Sequence, residues 1–295
     1  MKLRALACLG ASLLFTVFAG VAQAANPLGI AYSSTTNVSL YAKPTGVLLA
    51  GRCNRYSSAF ASARSKGAEV YAYINAFERP DNFICSMDED LYMNNYGAVP
   101  LWPYPSYGQR YAWPGTKLTD MRPGSKWILY VVSYVEKLMR ERKVDGVYLD
   151  GIGARPWGQS QWTSWSATEK KLWADGNVDL VRRLDAKRRA IDPNFIIVSN
   201  NVWGITVPNA TPLAGEKYVD GIAMEHPALY ITAYHRGQAG HAFSNLGHRR
   251  VMVIARTTQE ARDWANVKGV THVSNQTSYK YPTVPPVGFR DLNDR

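Results

Sequence analysis

The chain has 295 residues, 46% of them hydrophobic and 19% charged, with a formal net charge of +11. That length suits one large domain or two small ones with a real core. The excess bases lie scattered on helix-like stretches (Arg140, Arg142, Lys143; Arg182, Arg183; Lys187, Arg188, Arg189), the pattern of a solvated cationic face, and they form no aromatic-basic motif of the kind nucleic-acid readers carry.

Residues 1–24 have the layout of a secretory signal peptide. Lys2 and Arg4 form a positive start, an apolar stretch follows, and Ala22-Gln23-Ala24 fits a small-residue cleavage site. The competing reading is an uncleaved anchor, which Gly10, Ser12 and Thr16 weaken. Export would leave residues 25–295 as the mature domain, with a charge of +9 because the leader carries two bases and no acid. No later run approaches the ~18 apolar residues of a spanning helix, so no membrane association is expected after cleavage. Cys53 and Cys85 remain once Cys8 leaves with the leader, and an oxidising compartment favours their pairing.

Short β-rich runs then alternate with helical patterns. Strands are predicted near residues 28–33 (LGIAYS), 69–75 (EVYAYIN), 144–150 (VDGVYLD), 195–201 (FIIVSNN), 219–225 (VDGIAME), 250–256 (RVMVIAR) and 270–275 (VTHVSN). One further strand is required between residues 76 and 123, at 99–102 or 117–121. Helical spacing of Ile128, Val131, Val132, Val135, Leu138 and Met139 predicts a helix over 125–142. Ser166 and Glu169 match a capping box that opens a second helix, which ends before Asp192-Pro193. A weaker helix fits 258–267, and the proline-rich stretch 279–295 is expected to be an irregular tail.

About eight strand-helix units over ~250 residues predict an α/β fold, a single-domain (β/α)8 TIM barrel. A doubly wound open sheet competes, but no phosphate loop accompanies it: Gly151-Ile152-Gly153 is only a fragment of GxGxxG, and GxxxxGK[ST] is absent.

Two of the strands echo each other. Residues 144–150 (VDGVYLD) and 219–225 (VDGIAME) both read Val-Asp-Gly, three further strand residues, then an acid. The Asp-Gly suits a turn feeding each strand. Period-2 alternation puts Asp150 on one face with Tyr148 and Gly146, and Glu225 with Ala223 and Gly221. In a barrel those strand ends meet at the rim where active sites sit. Two carboxylates placed there are what glycoside hydrolysis requires, one to protonate the leaving oxygen and one to attack or to activate water. The competing reading pairs each acid with a rim arginine. No GxSxG elbow is present, and His226, His235, His241 and His248 form no HExxH, so no metal or other cofactor is expected. His226, beside Glu225, suits a ligand contact or a structural histidine equally.

Residues 102–113 (WPYPSYGQRYAW) hold five aromatics, Trp102, Tyr104, Tyr107, Tyr111 and Trp113. Flat aromatic faces suit the apolar face of a sugar ring; the competing reading is a loop packed on itself or capping the barrel. Trp157, Trp162, Trp165 and Trp203 follow the fourth and fifth predicted strands and add to the same rim, which favours a polysaccharide groove.

The run WPGTKLTDMRPGSKWILYVVSYVEKLMRERKVDGVYLDGI, residues 113–152, resembles the family-114 glycoside hydrolases, the endo-α-1,4-polygalactosaminidase group and related barrel glycosidases. The resemblance makes Asp120 the third-strand aspartate, and so favours 117–121 as strand three. It makes Asp150 the fourth-strand catalytic carboxylate, Asn200 and Asn201 the polar residues after strand five, and Glu225 the sixth-strand acid. It implies an enzyme that cleaves an α-linked polysaccharide, retaining if the two carboxyls sit ~5–5.5 Å apart and inverting at ~6.5–9.5 Å; with the leader, the expectation is an exported monomer. Asp150 would be the nucleophile, kept ionised by Asn200, Asn201 or Arg155, with Glu225 the general acid/base. Asp120 would hold a sugar hydroxyl, and Trp102, Tyr104, Trp113, Trp157 and Trp203 would form subsites. A barrel that binds carbohydrate without cleaving it is the alternative.

Overall fold

Eight short parallel strands close into a barrel in the computed structural model, which describes residues 25–80, 101–103, 116–153, 164–200, 217–225, 247 and 249–275. The barrel strands are β1 (Asn26–Ala31), β2 (Val47–Ala50), β3 (Glu69–Asn75), β6 (Gly146–Asp150), β7 (Ile196–Asn200), β8 (Gly221–Glu225), β9 (Arg250–Ala255) and β10 (His272–Asn275). They neighbour one another in that order, and the pairing of Asn26 with His272 shuts the ring. Helices α1 (Ser58–Ser65), α2 (Lys126–Glu141), α3 (Ala167–Ile191) and α4 (Thr258–Ala265) lie between strands in the chain. The (β/α)8 fold expected from the alternation is the fold the chain adopts.

Two expectations about the first half are corrected. The second barrel strand is β2, VLLA, a four-residue run buried at every position, so it shows no alternation to read. With β2 in place, the ring is complete without a strand from 99–102 or 117–121. The segment Thr116–Leu118 is β5, which pairs antiparallel with β4 (Glu78–Pro80) outside the barrel. Leu101 bridges to Thr119 in the same small sheet. The third barrel strand is therefore β3, and the residue at its end is Asn75.

Each barrel strand is buried on both faces, as a parallel sheet covered by helices must be. In β3 the odd positions Tyr71 and Tyr73 point into the barrel, while Val70, Ala72 and Ile74 join the outer core against the helices. α2 is set by its apolar stripe. Trp127, Ile128, Val131, Val135, Leu138 and Met139 are buried, each contributing about 1.5–3 kcal/mol of transfer free energy before entropy is subtracted. Its start is fixed by Ser125, whose hydroxyl accepts from the Ile128 N–H at 3.2 Å. It stops at Arg142, which adopts left-handed geometry at φ 51°. α3 opens on the expected capping box: the Glu169 N–H donates to Ser166 Oγ at 3.2 Å, and the Ser166 N–H donates to Glu169 Oε2 at 2.7 Å.

The paired Val-Asp-Gly motifs do more than turn the chain. Asp145 Oδ2 accepts from the Val70 N–H at 2.8 Å, and Asp220 Oδ2 accepts from the Ile197 N–H at 3.0 Å. Each aspartate thus extends the ladder of the preceding strand with its side chain. Arginines complete both: Arg64 grips Asp145 through Nε and Nη2, and Arg188 and Arg249 pair with Asp220. The glycines that follow are needed for close approach. A Cβ on Gly146 would lie 2.4 Å from the Ile196 carbonyl oxygen, and one on Gly221 would lie 2.3 Å from that of Arg250.

At the N-terminal end of the barrel, Arg250 on β9 reaches across to Glu69 on β3, its Nε 3.0 Å from Oε2. The same Nε lies 2.9 Å from the Tyr71 hydroxyl oxygen, and Tyr71 also bonds Glu69. These strands are four apart around the ring, so the pair spans the floor from one wall to the other. Beside it His272 is buried, and burial together with the Arg250 charge lowers its pKa to about 3, so the ring is neutral.

Candidate active site at the barrel rim

Three successive strands end in polar side chains at the C-terminal rim: β6 in Asp150, β7 in Asn200 and β8 in Glu225. In-register pairing of Leu149 with Ser199 sets Asp150 beside Asn200, and the Asn200 amide donates to Asp150 Oδ1 at 2.7 Å. The other oxygen, Oδ2, accepts from the hydroxyl of Tyr73. Tyr73 lies opposite Tyr148 on the neighbouring strand. Glu225 Oε1 in turn accepts from the Tyr148 hydroxyl at 2.8 Å. Beneath the acids the three rings form a row. Tyr73 and Tyr148 stack at 6.0 Å with 19° between planes, and Tyr32 tilts against Tyr73 at 4.2 Å.

Burial and proximity split the two acids electrostatically. Burial pushes Asp150 up, while hydrogen bonds from Tyr73, Asn200 and the Gly151 N–H oppose the rise. Glu225 is pushed up to about 8, first by burial and then by the charge on Asp150, with a single opposing hydrogen bond from Tyr148. Among the described residues Asp150 has three donors that favour its charge and Glu225 has one, and the Asp150 charge raises Glu225 further, so Glu225 is the acid that keeps its proton to the higher pH. Tyr73 and Tyr148 are held well above their ordinary pKa, mainly by burial and then by the nearest acid, so both remain protonated donors. One ionised and one protonated carboxyl at a barrel rim can run acid and base chemistry together.

Gly151 ends the β6 motif with a backbone φ of +70°, and a Cβ there would lie 1.7 Å from Phe77 Cε1. The glycine lets the chain leave the strand immediately after Asp150 while Phe77 packs against it.

Other expected site residues are placed differently. Asp120 stands at the rim, since Thr119 bonds Ala76 and Phe77 just beyond the end of β3. Its carboxylate, however, is buried against Arg122, whose Nε and Nη2 contact its two oxygens at 2.9 and 2.8 Å. It is the arginine-paired rim acid of the competing reading, rather than an open sugar contact. Trp102 is 3% exposed, stacked on Trp165 at 5.4 Å and packed against the edge of Trp173 at 5.4 Å. Its faces are occupied by other indoles, so this ring is core and offers no sugar platform. Tyr104, Trp113, Arg155, Trp157, Asn201, Trp203, His226 and Cys85 lie outside the described residues, as do the leader and the tail. The three tyrosines are the site residues that the sequence did not single out. Their signal was present in Tyr32 of LGIAYS, in the alternation of EVYAYIN and in Tyr148, two positions before Asp150.

No groups of His, Cys, Asp or Glu arranged to hold a metal ion occur among the described residues. No helix among them is long and apolar enough to cross a membrane.

No family model matches the chain, and no curated protein matches it. Solved structures do. The glycoside hydrolase domain of PelA from Pseudomonas aeruginosa superposes with a TM-score of 0.54 at 10% identity, over 87% of this chain and 97% of that one. Alpha-L-fucosidase isoenzyme 2 from Paenibacillus thiaminolyticus gives 0.54 at 13% identity, over 92% of this chain and 48% of that one. The alpha-galactosidase from Lactobacillus brevis gives 0.50 at 10% identity, over 92% and 40%. The chain thus has the barrel fold of glycoside hydrolases, and spans about half the length of the fucosidase.

Proposed function

We propose that this protein is an exported glycoside hydrolase that cleaves an α-linked polysaccharide with retention, Asp150 acting as nucleophile and Glu225 as general acid/base. The observation that carries the reading is the acid pair itself: two carboxyls at one rim, the first receiving Asn200 and Tyr73 on its two oxygens and the second receiving Tyr148 and pushed up to about 8. Glu225 gives its proton to the glycosidic oxygen as the bond to the anomeric carbon breaks, and Asp150 forms the new bond to that carbon. Glu225, now charged, then takes a proton from the water that releases the sugar. The resemblance of residues 113–152 to the family-114 enzymes supports the α-linkage, and the solved barrels of glycoside hydrolases support the reaction class. The reading includes a Cys53–Cys85 disulfide and a monomer, and it needs no cofactor.

The test is a screen of the mature protein on α-linked hexosamine and hexose polymers, run beside D150N and E225Q. Each variant is expected to lose activity about 10²–10⁴-fold or more. NMR of the first-formed product anomer reads retention directly. If a glycan binds and the unmodified protein hydrolyses it no faster than D150N and E225Q do, the molecule is a carbohydrate-binding barrel instead.

A further inference from the structure

The geometry points to Tyr73 and Tyr148 as a pair of positioning residues that divide the labour of the two acids, Tyr148 directing the proton of Glu225 to Oε2 and Tyr73 holding the charge of Asp150. The assignment rests on the acid pair proposed above, and it is tested without hydrolysis.

A neutral carboxyl has one oxygen that only accepts and one that carries the hydrogen. The Tyr148 hydroxyl donates to Glu225 Oε1 at 2.8 Å, which makes Oε1 the accepting oxygen and leaves the proton on Oε2. On Asp150 both oxygens receive donors, Oδ1 from Asn200 and Oδ2 from Tyr73, an arrangement that suits an anion. The two phenols start from opposed positions on adjacent strands, yet they serve acids on different strands. Tyr73 on β3 serves β6, and Tyr148 on β6 passes beneath β7 to serve β8. The charged and titratable groups around this pocket, among the described residues, are Asp150, Glu225 and the phenols of Tyr32, Tyr73 and Tyr148. No described basic side chain faces either acid there. Each phenol stabilises the anionic form of its own partner, so removing one raises first the acid it touches, while Asn200 and the Gly151 N–H add to the donors on Asp150.

The experiment is a ¹³C-carboxyl NMR titration of the full chain labelled at Asp and Glu, with the two resonances assigned by their loss in D150N and E225Q. Y148F is expected to move the Glu225 midpoint upward from about 8 by roughly one pH unit, since one such unit equals the strength of a modest hydrogen bond. Y73F is expected to move Asp150 upward instead. Placing 3-fluorotyrosine at position 148 leaves the shape nearly intact and strengthens the donor, so the Glu225 midpoint should fall. That variant decides the question even if Y148F does not fold. A Glu225 midpoint that ignores the change at position 148, or that moves upward with fluorotyrosine, overturns the assignment. Loss of hydrolysis without these shifts would leave the acid pair standing and refute the role of the phenols.

Discussion

Tyr148 belongs to the strand that ends in Asp150, but its hydroxyl donates at 2.8 Å to Glu225, two strands away. One strand therefore supplies the anion of the site and also the donor that restrains the acid opposite. The link makes the protonation of Glu225 a property of the whole pocket, and its consequences can be measured.

Activity on a cleaved glycan should follow a bell in pH. The alkaline limb should fall near pH 8, where Glu225 loses the proton it must donate. The acid limb should lie above the range of an ordinary aspartate, because burial raises Asp150. A profile of kcat/KM against pH checks both.

Stability should respond to the same group with a definite sign. The unfolded chain ionises Glu225 near its ordinary value of 4.5, while the fold keeps it protonated to about 8. Between those values the native state binds the extra proton, so stability falls as pH rises across the window. E225Q has nothing to ionise, and its Tm should decline less between pH 5 and 8.5 than that of the unmodified chain. Parallel declines in a thermal scan would contradict the raised pKa.

His272 gives the opposite slope. Its ring is held neutral to about pH 3, whereas the unfolded residue takes a proton near its ordinary value of 6.5. Stability attributable to it is lost as pH falls from 6.5 towards 3. H272N should flatten the acid side of a Tm–pH curve and leave the alkaline side alone.

The two motif aspartates should differ in cost when truncated. Asp220 and its partner Arg188 are both 12% exposed at the side chain, and Asp145 and Arg64 are both 29% exposed. D220A leaves the Ile197 N–H without its acceptor and strips the more buried Arg188 guanidinium of one of its two carboxylates, the other being Asp185, at about 2–3 kcal/mol. D145A should cost about 1–2 kcal/mol, because water reaches Arg64 more easily. Urea unfolding of both variants gives the order.

W102A tests whether that indole is core. Removing a ring stacked on one indole and set edge-on to another should cost about 3–5 kcal/mol of stability. Glycan affinity, measured at a temperature where the variant is folded, should stay within about twofold.

What could be read from the sequence was what local pattern encodes. The strand at 69–75 was bounded correctly because EVYAYIN alternates over seven residues, and β2 was hidden because VLLA has too few positions to show a period. The places of Asp150 and Glu225 at strand ends were legible because the strand motif repeats and the acid falls at its end each time, whereas Asn200 was reached through the resemblance. Asp120 and Trp102 were misjudged for one reason: their partners decide their roles. Arg122 claims the first, and Trp165 and Trp173, more than sixty residues further on, cover the second. The work of Tyr73 and Tyr148 was likewise invisible, since each donates to a residue 77 positions away.

The tie between Glu69 and Arg250 has a consequence for how the chain comes together. The partners are 181 residues apart, so a growing polypeptide completes Glu69 long before it makes the arginine that neutralises it. Until then the first half of the ring holds an unanswered carboxylate at its base, and bringing the ends together costs chain entropy that only late contacts repay. The arrival of the seventh strand thus supplies the missing countercharge and the eighth then seals the cylinder, so chains cut short of residue 250 should remain open and accessible to proteases.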